Sequence, residues 1–277
     1  MFLIFVKNDF IWKFCPAIDS NGLLFYNKFM SNLQKILNCD EKNYDKLFDS
    51  LTKNLEKAQY FCPTNGKVQK TEKFLSEKTK LVTGYADLVL NDKNAYKILF
   101  DNVKTSGILK NSDAFSAEKL FKLVQNSVFD YFGSGRPNDE LRTQIYRNAY
   151  LKEQDVSIKN FQNSGNSMCL ERASLAHNFL LLLGVKDELV SSDINLNGQK
   201  DLHTFNIATL GEKRYIFDLV CSKVTDLPMP SPIMQKFDDA KNYNGEKITF
   251  KTQSGKTNTI SYDAVAFEKN MEQNLEF

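Results

Sequence analysis

The feature that most constrains this chain is a strongly apolar helical stretch, Met168 to Leu183, which is followed at once by strand-like segments. Leu175, Phe179 and Leu182 have the spacing that anchors one side of a helix in a core. Gly184 suits the position just beyond a helix end, where a left-handed backbone is favoured. A buried helix that leads into strands is typical of an α+β region.

The segments after this helix alternate in a way that predicts strands and hairpins. Gly211-Glu212 supplies a turn between two of them, Ser254-Gly255 supplies another, and Pro228 to Pro232 is a loop. A final amphipathic helix closes the chain. The predicted strands are Glu188–Ser192, His203–Thr209, Arg214–Val220, Ile248–Thr252 and Thr257–Tyr262.

The first half of the chain shows helical periodicity instead. The predicted helices are Leu23–Leu37, Tyr44–Phe61, Glu72–Leu90, Ala95–Val103, Ser116–Phe132 and Asp139–Lys152. We therefore divide the chain into a mainly helical region, residues 1–150, and an α+β region, residues 151–277. The alternative is a single domain in which a helical layer covers a sheet.

Composition excludes several classes of protein. With 277 residues, of which 42% are hydrophobic, the chain can fill a core. Its 36 basic and 34 acidic residues nearly cancel, so no nucleic-acid footprint is expected. The opening apolar run ends at Val6, too short for a cleavable signal peptide, and we interpret it as a buried strand or a tail docked on the core. No segment approaches the roughly 18 apolar residues of a membrane span. A soluble protein is predicted.

The five cysteines, Cys15, Cys39, Cys62, Cys169 and Cys221, form no CxxC pair and no metal-ligand spacing. A reducing compartment is expected. No cofactor or metal is predicted. Only two histidines are present, His177 and His203, so any histidine-dependent chemistry must use one of them.

Cys169 stands at the start of the apolar helix, just after Gly165-Asn166-Ser167 and Met168. The helix dipole and the unpaired N–H groups of a first turn favour a thiolate there, and the Cys169 N–H can help to hold an oxyanion. The alternative is that Cys169 is a small buried hydrophobe. His177 lies about two turns further, roughly 12 Å along the axis, and is interpreted as a packed helix residue.

His203 and Asp218 lie on consecutive predicted strands. If the connecting loop has two or four residues, His203 opposes Asp218 or a residue two positions from it, so both side chains share a face. The acid could then hold the imidazole in one tautomer while the other ring nitrogen faces a thiol. An odd loop length would place Asp218 on the opposite face. The alternatives are a structural buried acid and a surface histidine.

Together, the stretch Gly165 to Ala173, the helix end at Leu183-Gly184-Val185, the His203-Thr204-Phe205-Asn206 motif and the Tyr215 to Asp218 strand resemble the core of the transglutaminase-like cysteine protease superfamily. The resemblance covers about a fifth of the chain, from Gly165 to Val220. It implies a papain/transglutaminase-like fold, with the nucleophile helix packed on an antiparallel sheet, and a catalytic triad of Cys169, His203 and Asp218. Residues 151–277 would then be the catalytic core, and residues 1–150 would serve targeting or substrate recognition.

The chain departs from that family at several positions. Its only tryptophan is Trp12, and Leu219 stands where a proline often follows the acid. For the oxyanion side chain we choose Gln162 or Asn163, ahead of Asn166. The His203–Asp218 spacing and the helical first half resemble bacterial effector glutamine deamidases, in which such a core serves virulence. This resemblance implies that the reducing compartment is a bacterial cytoplasm or, for a secreted effector, the host cytosol.

The resemblance implies attack on an amide through a thioester. A protein glutamine deamidase or a cysteine peptidase is ranked above a cross-linking transglutaminase, with a protein or peptide as substrate. The alternative from another class is a non-catalytic interaction module that keeps the fold.

Overall fold

A computed structural model describes residues 20–52, 58–62, 67–71, 80–81, 88–90, 92–108, 117–133, 138–210, 213–219, 233–237, 248–251 and 257–262. Within these ranges the α-helices are α1 (Ser20–Leu37), α2 (Tyr44–Thr52), α3 (Lys93–Thr105), α4 (Ala117–Phe132), α5 (Asp139–Leu151) and α6 (Cys169–Leu182). None of the helices in these ranges has the length and apolar character that a bilayer crossing requires.

The strands form two sheets. In chain order the strands are β1 (Ala58–Cys62), β2 (Lys67–Thr71), β3 (Lys80–Leu81), β4 (Leu88–Val89), β5 (Val156–Ser157), β6 (Lys186–Leu196), β7 (Gln199–Leu210), β8 (Lys213–Asp218), β9 (Ile233–Phe237), β10 (Ile248–Lys251) and β11 (Thr257–Tyr262). The larger sheet has the order β10-β11-β6-β7-β8-β9, and β1, paired with β2, joins β6 in parallel. The smaller sheet is β3-β4-β5. The architecture combines helices with a mainly antiparallel sheet, as the α+β prediction requires.

The centre of the large sheet is the long β6–β7 hairpin, paired from Lys186↔Thr209 to Leu196↔Gln199. Asn197 and Gly198 connect the strands, and both have positive φ, 53° and 89°. An Asn-Gly pair adopts this mirror-image turn readily, and its twist matches that of the flanking strands. The hairpin is longer than the strand Glu188–Ser192 predicted from alternation, because polar residues near its tip pair as regularly as the apolar ones.

Helix α6 packs between the sheet and the helical layer. It contacts β6 and β7 on one side and α2, α3 and α4 on the other. Its C-terminal end is tied to α1, where the Asn32 side chain donates a hydrogen bond to the Leu182 carbonyl (3.0 Å). Gly184 follows at φ 84°, and a Cβ there would lie 3.3 Å from the Phe29 backbone nitrogen. Gly184 therefore both ends the helix, as predicted, and permits the close approach of α1.

One hydrophobic core spans the early and late parts of the chain. Phe29 and Leu33 of α1, Phe121 of α4, Leu180 of α6 and Phe217 of β8 are all members of this buried cluster. Phe121 stacks on Phe217, with ring centroids 4.8 Å apart. Residues on both sides of position 150 thus share a core, while the division of the chain into two functional regions stays a prediction.

Two predicted helices were wrong. The helix that begins at Tyr44 ends at Thr52, and Ala58–Cys62, all but the last residue of which was included in it, forms strand β1. The segment Glu72–Leu90 contains strands β3 and β4. Gly84 already weakens a helical interpretation there. The decisive factor is pairing with distant strands, β1 with β6 and β4 with β5, since such partners favour an extended backbone whatever the local pattern.

The other element predictions are confirmed within one to three residues for α1, α3, α4 and α5, for the β7 and β8 strands at their turn end, and for the β10–β11 hairpin. Strand β9 was missed. The opening apolar segment, the Pro228 to Pro232 loop and the final helix lie outside the described residues.

Candidate active site

Cys169 is the first residue of α6, and its side chain is half-buried. Met168 precedes it with an extended backbone, and the Met168 N–H donates to the Glu171 carboxylate at 2.8 Å. That bond satisfies one of the free donors at the helix start and fixes how the chain enters the helix. Cys169 lies on the rigid first turn of a helix anchored at both ends, as a positioned nucleophile requires.

His203 and Asp218 are brought together by the β7–β8 hairpin. Leu210 pairs with Lys213 and Asn206 with Phe217, so only two residues separate the strands and the predicted even-length loop is confirmed. Extending this register by one pair sets Asp218 opposite Phe205, diagonal to His203. His203 Nε2 lies 2.9 Å from Asp218 Oδ1 and 3.0 Å from Oδ2. Both side chains are buried.

The His203 ring and the Thr204 backbone N–H are the hydrogen-bond partners that lower the pKa of the Cys169 thiol. Because Nε2 faces Asp218, the ring nitrogen left for the sulfur is Nδ1. The order of contacts is therefore carboxylate, imidazole, thiol, as the sequence predicted.

The electrostatics of this contact favour an ion pair. Burial alone would raise the pKa of Cys169, but the His203 charge and hydrogen bond outweigh it and lower that pKa below its usual value. Burial alone would lower the pKa of His203, but Asp218 and then Cys169 raise it well above its usual value. The two shifts are opposite in direction, and both favour a thiolate beside an imidazolium.

The predicted oxyanion residues lie upstream of the helix. Gln162 is half-buried, and its N–H donates to the Lys159 carbonyl at 3.1 Å. Asn163 is exposed, has a positive φ of 53°, and its N–H donates to the Tyr131 carbonyl. The Asn166 side-chain oxygen accepts from the Asn138 N–H at the start of α5 (3.2 Å). This bond ties α5 to the loop before Cys169.

His177 is buried, as predicted for a packed helix residue, and Nδ1 lies 2.5 Å from Asp187 Oδ2. The same carboxylate oxygen accepts from the Asn206 amide at 2.8 Å, and that amide also donates to the Ala173 carbonyl at 3.1 Å. Asn206 thus links the nucleophile helix to β6 from β7, the strand that carries His203. The pairing of Asp187 with His177 was not predicted from the sequence. The available signal was an acidic residue in a strand next to an apolar helix that contains a histidine.

Sequence reasoning also missed a cluster on the other side of Cys169, in which Arg142 and Tyr146 of α5 contact Glu171. An acid inside an apolar first turn was the signal, since a buried carboxylate requires partners. In the part of the chain that the structure describes, no three His, Cys, Asp or Glu side chains come together as metal ligands would.

Comparison of the chain with family models, with curated proteins and with solved structures returned no match.

Proposed function

We propose that this chain is a thiol-dependent hydrolase or acyltransferase that attacks an amide carbonyl with Cys169, assisted by His203 and Asp218. The observation that carries this proposal is the buried His203–Asp218 hydrogen bond beside Cys169, the first residue of a helix, whose pKa the His203 ring lowers. A buried structural cysteine has no need of an imidazole held in place by a carboxylate.

The chemistry follows from the two protonation states. The Cys169 thiolate attacks the amide carbon, and the new oxyanion lies near the free N–H groups at the start of α6, including that of Cys169 itself. The His203 imidazolium donates its proton to the departing nitrogen, which leaves as ammonia or an amine, and a thioester remains. Water then attacks the thioester and gives a proton to His203, so that a carboxylic acid is released, which ionises in solvent, and the thiolate–imidazolium pair is restored.

Asp218 acts through His203 rather than on the substrate. Its carboxylate accepts from Nε2, which turns Nδ1 toward the sulfur and stabilises the imidazolium while the thiolate waits for substrate. Because Asp218 and His203 are both buried, little water competes for their contact. Burial therefore strengthens both the hydrogen bond and the charge interaction between them.

The layout supports a papain/transglutaminase-like core, in which the nucleophile helix packs on a sheet that carries the histidine and the acid. Within that class we propose a protein glutamine deamidase or a cysteine peptidase, with a helical region that recognises the substrate and a role as a secreted bacterial effector. This narrower assignment follows the sequence resemblance. The substrate is a protein or peptide, because an amide is the bond that this chemistry cleaves.

A substrate panel tests the proposal. The protein is incubated with a glutamine-containing peptide, with and without a primary amine, and the products are measured by mass spectrometry. A mass gain of one unit with ammonia release indicates deamidation, chain cleavage indicates a peptidase, and amine incorporation indicates a transglutaminase. C169A and H203A should abolish turnover, whereas C39A should retain it. Turnover that survives in folded C169A would refute the mechanism.

A further inference from the structure

Glu171 is a fully buried carboxylate two residues beyond Cys169. It accepts from three groups: the Met168 N–H at 2.8 Å, the Tyr146 hydroxyl at 2.6 Å and the Arg142 guanidinium. A charged carboxylate in this setting would be strongly destabilising if it lacked a cation.

Arg142 supplies that cation. Its Nε lies 3.1 Å from both Glu171 oxygens and its Nη2 lies 2.8 Å from Oε1, so the contact is a fork. The Arg142 side chain is 23% exposed and the Glu171 side chain 0%. The guanidinium also lies over the Tyr146 ring, 5.0 Å from its centroid, which holds Arg142 and Tyr146 of α5 as one unit.

The charges of Glu171 and Arg142 affect the Cys169 thiol. The Glu171 carboxylate acts on Cys169 in the direction that raises its pKa, against the effect of His203. Burial alone would lower the pKa of Arg142, but Glu171 first, and more weakly Cys169, raise it. A lone negative charge at Glu171 would therefore oppose the thiolate, and the positive charge of Arg142 is placed to cancel it.

The other polar and charged groups around the start of α6 have separate partners. His203 on β7 contacts the sulfur and is held by Asp218 on β8. Arg172 on α6 donates from Nε to the Ser167 carbonyl, and its guanidinium lies over the Phe129 ring of α4. On α5, the side facing Cys169 presents Arg142 and Tyr146.

We propose that Arg142 is a positioning residue for the Cys169 nucleophile: it neutralises the buried Glu171 carboxylate and, with Tyr146, holds the first turn of α6 against α5. The proposal rests on the proposed function, because it assumes that the Cys169 thiolate is the reacting group. Arg142 acts through Glu171 and the helix start rather than by contact with substrate.

The test is the pH dependence of Cys169 alkylation by iodoacetamide, followed by mass spectrometry, in wild type, E171Q and R142Q/E171Q. Glutamine at position 171 can still accept the hydrogen bond from the Met168 N–H, so the start of α6 keeps its conformation. E171Q leaves the Arg142 charge uncancelled. The midpoint of the curve of Cys169 alkylation rate against pH should therefore fall by about one pH unit in this variant. R142Q/E171Q removes both charges and should return close to wild type. R147Q, which removes an exposed arginine from the same helix, should leave the midpoint unchanged.

Equal midpoints in folded E171Q and R142Q/E171Q would overturn the proposal, because the Arg142 charge would then have no effect on the thiol. If E171Q does not fold, R142Q is compared with R142Q/E171Q: the lone carboxylate of R142Q should raise the midpoint, and an equal midpoint again overturns the proposal. The failure of the proposed function is recognised separately, as slow wild-type labelling of Cys169 at neutral pH.

Discussion

His203 Nε2 lies almost equally far from the two oxygens of Asp218, at 2.9 Å and 3.0 Å, although the residues are fifteen positions apart in the chain. Both carboxylate oxygens therefore contact the one ring nitrogen, and this contact fixes the orientation of the imidazole. Because the two residues lie on adjacent strands of a paired ladder, this direction is maintained by the sheet and not by a mobile loop. Nδ1 is left to face Cys169.

Cys169 should react with iodoacetamide at pH 7 at least about ten times faster than Cys39, because its lowered pKa gives it a larger thiolate fraction than a thiol of ordinary pKa, which is only a few per cent thiolate. Cys39 is a suitable internal control, since it is also half-buried, and its sulfur is hydrogen-bonded to the Asp40 carbonyl. Peptide mapping measures both rates, and denaturant should equalise them. Equal rates in the folded protein would contradict the thiolate.

The imidazole of His203 should titrate well above pH 6.5, because Asp218 and Cys169 favour its charged form. The stability that this shift contributes is fully present below about pH 6.5 and is lost as the pH rises through the folded pKa. Proton NMR can follow this directly, since the chain has two histidines and H177Q assigns the signals. D218N should move the pKa of His203 downward, and an unchanged value would disprove the coupling.

Asp218→Asn should lower turnover by about 10²- to 10⁴-fold with little loss of fold, since asparagine keeps the shape but not the charge that stabilises the imidazolium. Asp218→Ala should in addition lower the free energy of unfolding by about 1–3 kcal/mol, because a buried imidazole loses its hydrogen-bond partner. Urea denaturation measures the second effect. Asp49→Asn, at an exposed site on α2, is the control for an acid-to-amide change.

Asp187→Ala should be strongly destabilising, by about 3–5 kcal/mol, because it leaves His177 and the Asn206 amide without their buried carboxylate. Asp49→Ala, at the exposed position on α2, should change the free energy of unfolding by less than about 0.5 kcal/mol. A small effect at both positions would show that the β6 carboxylate does not hold α6 on the sheet.

Periodicity and turn chemistry were sufficient to predict a helix or strand wherever its conformation depends on its own residues. The apolar pattern and the glycine after it located helix α6, and the even number of residues in the short β7–β8 loop placed His203 and Asp218 on one face. The same local reasoning failed at β1 and β4, which are extended because β6 and β5 pair with them across long stretches of chain.

The sequence by itself thus determined the order of the chemistry-bearing residues: a cysteine at a helix start, a histidine and an acid on neighbouring strands. Tertiary structure alone decided what surrounds them. Arg142 reaches Glu171, and Asp187 reaches both His177 and Asn206, only because α5 and β6 pack against α6. No spacing rule encodes such contacts, since the partner of a buried charge is set by packing between elements and not by its neighbours in the chain.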